Sequence, residues 1–280
     1  MRTINVESIT KKIKEAVIQI NYKLPKDVEK EINNFFMKEE SQIGKGILKN
    51  IIDNNDISKT EGVPLCQDTG MIVAFVEIGQ DVQLEGGSIT EAINEGVKQG
   101  YKDGYLRKSV VNNPLDRENT KDNTPAIIYY DIVEGNNIII DITAKGFGSE
   151  NMSRLKMLKP SEGIKGVEDF VLETVELAGP NPCPPLVVGV GIGGTMDKAC
   201  QLAKKSLIRP IDKDNDNARL DKIEKDLLNK INNLGIGPQG MGGRTTALKV
   251  NIEMFPTHIA GLPVAVNLNC HSSRHITLEF

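Results

Sequence analysis

The stretch Pro64-Leu65-Cys66-Gln67-Asp68-Thr69-Gly70 is followed directly by the apolar run Met71-Ile72-Val73-Ala74-Phe75-Val76-Glu77-Ile78. The first stretch carries a thiol, an amide, a carboxylate and a hydroxyl on four successive positions and ends at a glycine. An apolar run bounded by such a turn predicts a buried strand, with the polar groups on a tight loop that enters it. Protein interiors rarely accept so many polar groups unless they bond to something specific. We therefore interpret this loop as part of a metal site or an active site rather than as packing.

The segment before this loop has a helical pattern. Residues 3–56 place apolar side chains at near-helical spacing among lysines and glutamates, first at Ile4, Ile9, Ile13, Val17 and Ile20 and then at Val28, Ile32, Phe35 and Phe36. A third helical segment, 43–52, is predicted to end in a turn at 53–56. The pattern indicates an N-terminal helical layer that covers the core.

Beyond residue 57 the patterns alternate between strand and helix. They predict strands at 71–78, 126–133, 138–143, 186–190, 246–254 and 263–267, and helices at 88–104, 161–177 and 217–234. The turn Glu134-Gly135-Asn136-Asn137 predicts a hairpin between the second and third strands, which argues against a purely parallel sheet. We therefore predict an α/β fold with a mixed β-sheet core flanked by helices. We also predict a single domain over 1–280, made of the helical layer (1–56) and an α/β core (57–280).

Composition restricts the class of protein. The chain has 34 basic and 38 acidic residues, so its charge points to neither nucleic acid nor an anionic membrane as a partner. Its longest apolar runs are shorter than a membrane span. The first residues, Met1 to Glu7, lack the apolar core and cleavage site of a signal peptide. We expect a cytoplasmic protein.

The chain has four cysteines, and three of them share a context. Cys66, Cys183 and Cys270 each lie at a predicted strand edge or turn, next to proline, glycine or asparagine, whereas Cys200 lies on a predicted helix as a packing residue. Scattered cysteines in a reducing compartment indicate metal binding, catalysis or packing more often than disulfides. Three thiolates could bind zinc with a histidine as the fourth ligand, or three irons of a cubane cluster whose fourth iron stays open. Residue types alone leave both possibilities open.

Two further motifs carry glycines or histidines. Gly189-x-Gly191-x-x-Gly194 formally matches a dinucleotide fingerprint, but the region about twenty residues later, 210–216, is a charged turn rather than a strand ending in an acid. We therefore do not predict nucleotide binding. All three histidines, His258, His271 and His275, fall near Cys270 in the last part of the sequence.

Several long motifs together resemble one known family. They are Cys66-Gln67-Asp68-Thr69-Gly70, Lys145-Gly146-Phe147-Gly148-Ser149-Glu150-Asn151, Asn181-Pro182-Cys183-Pro184-Pro185, Gly189 to Gly194, Gly237-Pro238-Gln239-Gly240 and Asn269-Cys270-His271-Ser272. In this order they resemble the iron–sulfur hydro-lyases of the class I fumarase and L(+)-tartrate dehydratase type. The resemblance extends from roughly residue 10 to residue 275.

The resemblance implies a role for eight residues. It implies that Cys66, Cys183 and Cys270 hold a [4Fe–4S] cluster, that Gln67, Arg107 and Gly148 contact a C4 dicarboxylate substrate, and that Asp68 and His258 form a polar pair near the catalytic base. The residue types suit this chemistry, because arginine binds carboxylates through paired hydrogen bonds and proton removal needs a positioned base.

The resemblance also implies a partner. Single-chain members of the family continue into a second domain that supplies further arginines, a lysine and a threonine, whereas this sequence ends at Phe280. The chain therefore resembles the separate α subunit of an enzyme whose β subunit brings the missing groups, in an α₂β₂ assembly. We expect little hydratase activity from the chain alone.

Three functional hypotheses follow. The first is the α subunit of a fumarate hydratase, which adds water reversibly to fumarate to give (S)-malate. The second is the α subunit of an L(+)-tartrate dehydratase, which would use the same cluster and the same motifs. The third is a zinc-binding structural subunit without catalysis of its own, although this hypothesis leaves Gln67, Asp68 and Arg107 unexplained.

Overall fold

The computed structural model describes all 280 residues and divides them into two compact units. The first comprises Met1–Pro25, Asn55–Phe147 and Arg274–Phe280, and the second comprises Lys26–Asn54 and Gly148–Ser273. The sequence predicted one domain with a single α/β core over 57–280, whereas each unit has a four-stranded sheet of its own. Two of the boundaries fall inside helices, so no polar linker marks them in the sequence.

The secondary structure alternates along most of the chain. In chain order the elements are β1 (Arg2–Asn5), α1 (Val6–Tyr22), α2 (Lys26–Lys38), α3 (Gln42–Glu61), β2 (Met71–Gly79), β3 (Val82–Glu85), α4 (Ile89–Asp103), β4 (Ile127–Val133), β5 (Ile138–Lys145), α5 (Phe147–Glu150), β6 (Arg154–Leu158), α6 (Gly163–Ala178), β7 (Leu186–Gly193), α7 (Met196–Ser206), α8 (Ala218–Asn232), β8 (Ala247–Phe255), β9 (Leu262–Asn269) and β10 (His275–Glu279). Single 3₁₀ turns occur at Pro160–Glu162 and Pro238–Gly240.

The first unit contains a mixed sheet in the order β10-β5-β2-β4. The predicted strand after the loop of residues 64–70, called the Cys66 loop below, is confirmed as β2. It lies between β5, which is antiparallel to it, and β4, which is parallel to it. The predicted hairpin between β4 and β5 is therefore wrong, because the end of β2 passes between them. The amides of Gln80 and Asp81 donate to the carbonyls of Val133 and Gly135. The apolar strand β2 takes one of the two inner positions, where a strand can be buried on both faces.

Helices α1 and α4 pack side by side in the first unit. A Cβ atom at Gly96 would lie 2.6 Å from Cβ of Ile13, and one at Gly100 would lie 2.9 Å from Cβ of Val17. The two glycines thus allow the helices to approach closely. The apolar face predicted for α1 is confirmed at Ile9, Ile13, Val17 and Ile20, whereas Ile4, predicted with them, lies in β1. Ser88 caps the N-terminus of α4. The turn predicted at 53–56 is wrong, because α3 continues through it to Glu61.

The second unit contains a mixed sheet in the order β6-β9-β7-β8, in which β7 runs parallel to β8 and antiparallel to β9. The apolar side chains of α6 and α8 pack on one face of this sheet, and α7 packs on the other. The glycines of the formal dinucleotide motif serve this packing. A Cβ at Gly189 would lie 2.2 Å from the carbonyl oxygen of Ala203, and one at Gly191 would lie 2.0 Å from that of Ala199.

Two mixed sheets flanked by helices confirm the α/β fold class. The strands β1, β3, β6 and β10 were not predicted, because each has only four or five residues and so short a segment gives little periodicity to recognise. None of the helices is both long and apolar enough to span a lipid bilayer.

Candidate active site

The Cys66 loop of the first unit is fixed by buried polar groups beneath it. The amide of Leu65 donates to the carbonyl of Asn21 (2.8 Å), and the hydroxyl of Tyr101 donates to the carbonyls of Thr69 (2.6 Å) and Gly70 (2.8 Å). Asn21 and Tyr101 are both fully buried. Cys66 and Gln67 themselves are exposed, so the loop presents its thiol and amide outward from a rigid base.

The carboxylate of Asp68 is held by two backbone amides. Gly70 donates to its Oδ1 atom at 2.9 Å, and Phe147 donates to its Oδ2 atom at 2.8 Å. The second bond joins the Cys66 loop to the start of the predicted Gly146–Gly148 motif. A Cβ at Gly146 would lie 3.2 Å from Oδ2 of Asp68, so a larger residue there would crowd this carboxylate. Asp68 is half-buried, so its carboxylate is oriented yet still reachable from solvent.

Arg107 lies beside the same loop. The hydroxyl of Thr69 donates to the carbonyl of Arg107 at 2.8 Å, and the guanidinium group is exposed. The buried side chain of Asn123 accepts from the amides of Ser109 and Val110 and donates to the carbonyl of Gly70. The first unit thus places Cys66, Gln67 and Asp68 on one loop, with the backbone of Arg107 bonded to the same loop through Thr69. An exposed thiol, a fixed carboxylate and an exposed guanidinium can together bind and act on a small anion.

Cys183 and Cys270 lie at the same end of the two inner strands of the second sheet. Cys183 precedes β7 and Cys270 follows β9, and these strands pair antiparallel with Val187 opposite Asn269. Cys183 is exposed and adopts a φ of 56°, which is unusual for a residue other than glycine, and Cys270 is partly exposed. Two thiols from distant parts of the sequence therefore lie on neighbouring loops.

Gln239 and His271 hold these two loops together, a role that the sequence did not predict. The Gln239 side-chain amide donates to the carbonyl of Pro184 (2.8 Å) and lies 3.2 Å from Nδ1 of His271. The same Nδ1 lies 3.1 Å from the carbonyl oxygen of Cys183. Gln239 also has a positive φ, of 52°. Its position in the glycine-rich motif was visible in the sequence, but its contacts depend on the fold.

A buried carboxylate anchors the glycine-rich loop that carries Gln239. Glu39, at the end of α2, accepts hydrogen bonds from the amides of Arg244 and Thr245 and from the Thr245 hydroxyl (2.6 Å). Burial alone would raise the pKa of Glu39, but these hydrogen bonds, with one from the amide of Ser41, lower the pKa below its ordinary value.

His258 and Gly148 also belong to the second unit, where Gly148 is exposed in the short helix α5. His258 lies between the end of β8 and the start of β9, and Cys270 directly follows the other end of β9. The eight residues of β9 span roughly 25 Å at the rise of an extended strand. The structure thus places His258 and Cys270 at opposite ends of the sheet and does not bring them together within this unit.

The cysteines fit a group held by thiolates, although no three His, Cys, Asp or Glu side chains form a ready-made metal site. None of the four cysteines forms a disulfide, and Cys66, Cys183 and Cys270 lie on accessible loops. Cys200 lies on α7, as predicted, but is exposed rather than packed in the core, which corrects that prediction. Its partial burial nevertheless raises the pKa of the Cys200 thiol and disfavours the thiolate that a metal would need.

The chain is similar to known proteins over nearly its whole length. The model of the family described as fumarate hydratase (fumerase) matches residues 10–279. A protein of Methanocaldococcus jannaschii, provisionally named L(+)-tartrate dehydratase subunit alpha, is 47% identical over 273 residues, covering 94% of this chain and 95% of the relative. The L(+)-tartrate dehydratase subunits alpha of Escherichia coli and Shigella sonnei are each 32% identical over 277 residues, covering 98% of this chain and 91% of the relatives.

These names imply that the relatives work with a second subunit. The family model covers far more than half of the sequence, including every motif on which the resemblance was based. The chain therefore belongs to the class I fumarate hydratase family of hydro-lyases.

Proposed function

We propose that this chain is the α subunit of a [4Fe–4S] fumarate hydratase that interconverts fumarate and (S)-malate together with a separate β subunit. The proposal is supported by three thiols that lie on accessible polar loops. The loop that carries Cys66 also presents the oriented carboxylate of Asp68 and contacts the backbone of the exposed Arg107. A purely structural metal site would not need this carboxylate and this arginine.

Cys66, Cys183 and Cys270 would hold the cluster in this proposal. When bound, such a cluster supplies an open iron that acts as a Lewis acid toward the substrate hydroxyl. Cys200 takes no part, since its thiol has a raised pKa and lies on a helix apart from the loop motifs.

The other residues would bind substrate and manage its protons. The exposed guanidinium of Arg107 would donate paired hydrogen bonds to one carboxylate of the C4 dicarboxylate, and the amide of Gln67 and the backbone at Gly148 would complete the contacts. Dehydration of malate removes a proton from C3 and hydroxide from C2. Asp68, held by the amides of Gly70 and Phe147, would take part in the transfer of that proton.

His258 is proposed as the polar partner of Asp68 on the strength of the family resemblance alone. Within the second unit it lies at the opposite end of β9 from Cys270. The names of the relatives support a separate β subunit, and the α₂β₂ assembly is proposed from the family resemblance.

L(+)-tartrate dehydratase is the second candidate, because the similar proteins named above carry that name. Malate and tartrate differ by one hydroxyl group, and a site built to bind a hydroxyl can reject the analogue that lacks it by several orders of magnitude. The test is kcat/KM for (S)-malate, L(+)-tartrate and meso-tartrate with the anaerobically reconstituted complex of both subunits. A preference for malate of at least tenfold supports the fumarase proposal, whereas a preference for L(+)-tartrate replaces it with the second candidate.

The cofactor needs its own experiment. Iron and acid-labile sulfide should reach about four of each per chain after anaerobic reconstitution. Alanine at Cys66, Cys183 or Cys270 should remove most of both, and alanine at Cys200 should leave them unchanged. Tightly bound zinc without sulfide after the same treatment would instead support a structural zinc subunit.

A further inference from the structure

Arg274 is a buried cation with uncharged partners. Its side chain is 1% exposed and is the largest of the fully buried side chains. Its Nη1 atom donates to Oδ1 of Asn21 and to the carbonyl oxygen of Asp68, both at 2.9 Å, and its Nε atom has no hydrogen-bond partner. Burying a guanidinium group costs several kcal/mol unless nearby negative charge compensates. A residue this costly is expected to serve something other than packing.

Arg274 is linked to the Cys66 loop at two points, directly at Asp68 and through Asn21 at Leu65. Asn21 accepts from the amide of Leu65 with its own carbonyl oxygen (2.8 Å) and from Arg274 with its side chain. Arg274 in turn holds the carbonyl of Asp68. The backbone is therefore fixed at Leu65 and at Asp68, and only Cys66 and Gln67 lie between these points.

Arg274 is itself anchored to the sheet of the first unit. Its carbonyl oxygen accepts from the hydroxyl of Thr143 (2.8 Å) and from the amide of Ala144 (3.3 Å) on β5. Asn21 is anchored in the last turn of α1, where its side chain donates to the carbonyl of Val17 at 2.9 Å. The loop is thus connected to a strand through one residue and to a helix through the other.

The charge of Arg274 also lies close to the carboxylate of Asp68. The site of the missing Cβ of Gly146 is 3.2 Å from Oδ2 of Asp68 and 3.6 Å from Nη2 of Arg274. A guanidinium in such a position attracts the carboxylate of Asp68.

We propose that Arg274 is a positioning residue that, together with Asn21, fixes the thiol of Cys66, the amide of Gln67 and the carboxylate of Asp68 in their working geometry. It does so from beneath the loop, without contact with the substrate. This inference rests on the proposed function for its catalytic consequence, but its structural part stands on the contacts alone.

The test compares Arg274→Met, which removes the charge and the donors, with Arg274→Lys, which keeps both. Arg209→Met is the matched control, since Arg209 is another largely buried arginine whose partners, Glu224 and Asn251, belong to the second unit. Asn21→Ala is the second variant, in case Arg274→Met does not fold. The first readout is hydrogen exchange of the peptide 63–70 in the chain without cluster, and the second is kcat and KM of the reconstituted complex.

We expect exchange of this peptide to rise at least tenfold in Arg274→Met and less in Asn21→Ala, with exchange of β7 unchanged. We also expect kcat to fall at least tenfold with KM changed less than threefold, and Arg274→Lys to recover most of both losses. Exchange of the peptide within twofold of wild type in both variants overturns the proposal, as does an equal rise in Arg209→Met. If the wild-type complex is no hydro-lyase, the proposed function fails, while hydrogen exchange still decides the positioning role.

Discussion

His271 contacts the backbone of Cys183 through two of its nitrogens. The imidazole Nδ1 lies 3.1 Å from the carbonyl oxygen of Cys183, and the backbone amide of His271 donates a hydrogen bond to the same oxygen at 3.4 Å. His271 directly follows Cys270 in the sequence, so this contact connects the loops of two proposed cluster ligands. Gln239 contacts His271 on the same atom and holds the next residue of the Cys183 loop, Pro184. The distance between the two thiols thus depends on a histidine that is not itself a proposed ligand.

This contact predicts that His271→Ala weakens cluster retention. The loss of a hydrogen bond worth about 1 kcal/mol would increase the rate of iron loss to a chelator about fivefold to tenfold. The measurement is the decay of the visible absorption of the reconstituted chain under anaerobic chelation. His258→Ala is the control, because His258 lies at the other end of β9 and should leave the rate at the wild-type value. Equal rates for wild type and His271→Ala would contradict the prediction.

The ionised carboxylate of Glu39 is expected to contribute to the free energy of unfolding at neutral pH and to lose this contribution in acid. Its folded-state pKa lies below the ordinary value of 4.5. A lowered pKa means that the contribution is fully present above that ordinary value and is lost as the pH falls from there through the folded-state pKa. We expect Glu39→Gln to lower the free energy of unfolding by about 2 kcal/mol at pH 7, because several amides and a hydroxyl lose a charged acceptor.

The deficit of Glu39→Gln should shrink as the pH falls below 4.5, since protonation removes the same charge from the wild-type side chain. Urea unfolding of the chain at several pH values between 7 and 3 provides the measurement. Glu40→Gln is the neighbouring control: Glu40 is exposed and pairs with Arg244, so its loss should change stability by less than about 0.5 kcal/mol. A deficit in Glu39→Gln that is independent of pH would show that shape rather than charge matters at this position.

The strongly patterned parts of the fold could be predicted from the sequence. The run after Gly70 predicted β2, which is buried on both faces, and the periodicity around Ile13 and Val17 predicted α1, which is buried on one face, because burial leaves a direct record in the residue types. Strand order could not be predicted: β4 and β5 are separated by a turn typical of a hairpin, yet both pair with β2. The choice between them depends on long-range packing rather than on the turn.

The residues of the candidate site also fall into those that could be recognised from the sequence and those that could not. Cys66, Gln67 and Asp68 were recognisable because their polar groups have no packing role beside a buried strand, whereas Arg107 was identified only through the family resemblance. Arg274, Asn21 and Gln239 were not assigned a role, because a hydrogen bond to a distant backbone carbonyl leaves no pattern in the sequence. The position of His258 at the far end of β9 could be known only once the strand and its direction were known.

Substitution of a glycine in β7 is expected to disturb the packing of α7 on the sheet rather than to abolish nucleotide binding. Gly191→Ala would place a Cβ 2.0 Å from the carbonyl oxygen of Ala199, so α7 would have to move away from the sheet. We expect a loss of about 3 kcal/mol or more in the free energy of unfolding, measured by urea denaturation. Gly46→Ala in α3 is the opposite case, because a Cβ there meets nothing within 4 Å. That variant should gain about 0.5–1 kcal/mol from helix propensity.

The hydroxyl of Tyr101 is expected to stabilise the backbone beneath the Cys66 loop. Its buried hydroxyl donates to the carbonyls of Thr69 and Gly70, and burial raises the pKa of Tyr101 well above its ordinary value, so the donor proton is present at neutral pH. Tyr101→Phe should lower the free energy of unfolding at pH 7 by about 1–2 kcal/mol. It should also speed alkylation of Cys66 relative to Cys183, measured by mass spectrometry of the peptides.

Tyr130→Phe is the control, because the exposed hydroxyl of Tyr130 bonds only to Thr90. An unchanged ratio of the two alkylation rates in Tyr101→Phe would mean that Asn21, Arg274 and Asn123 hold the loop without it.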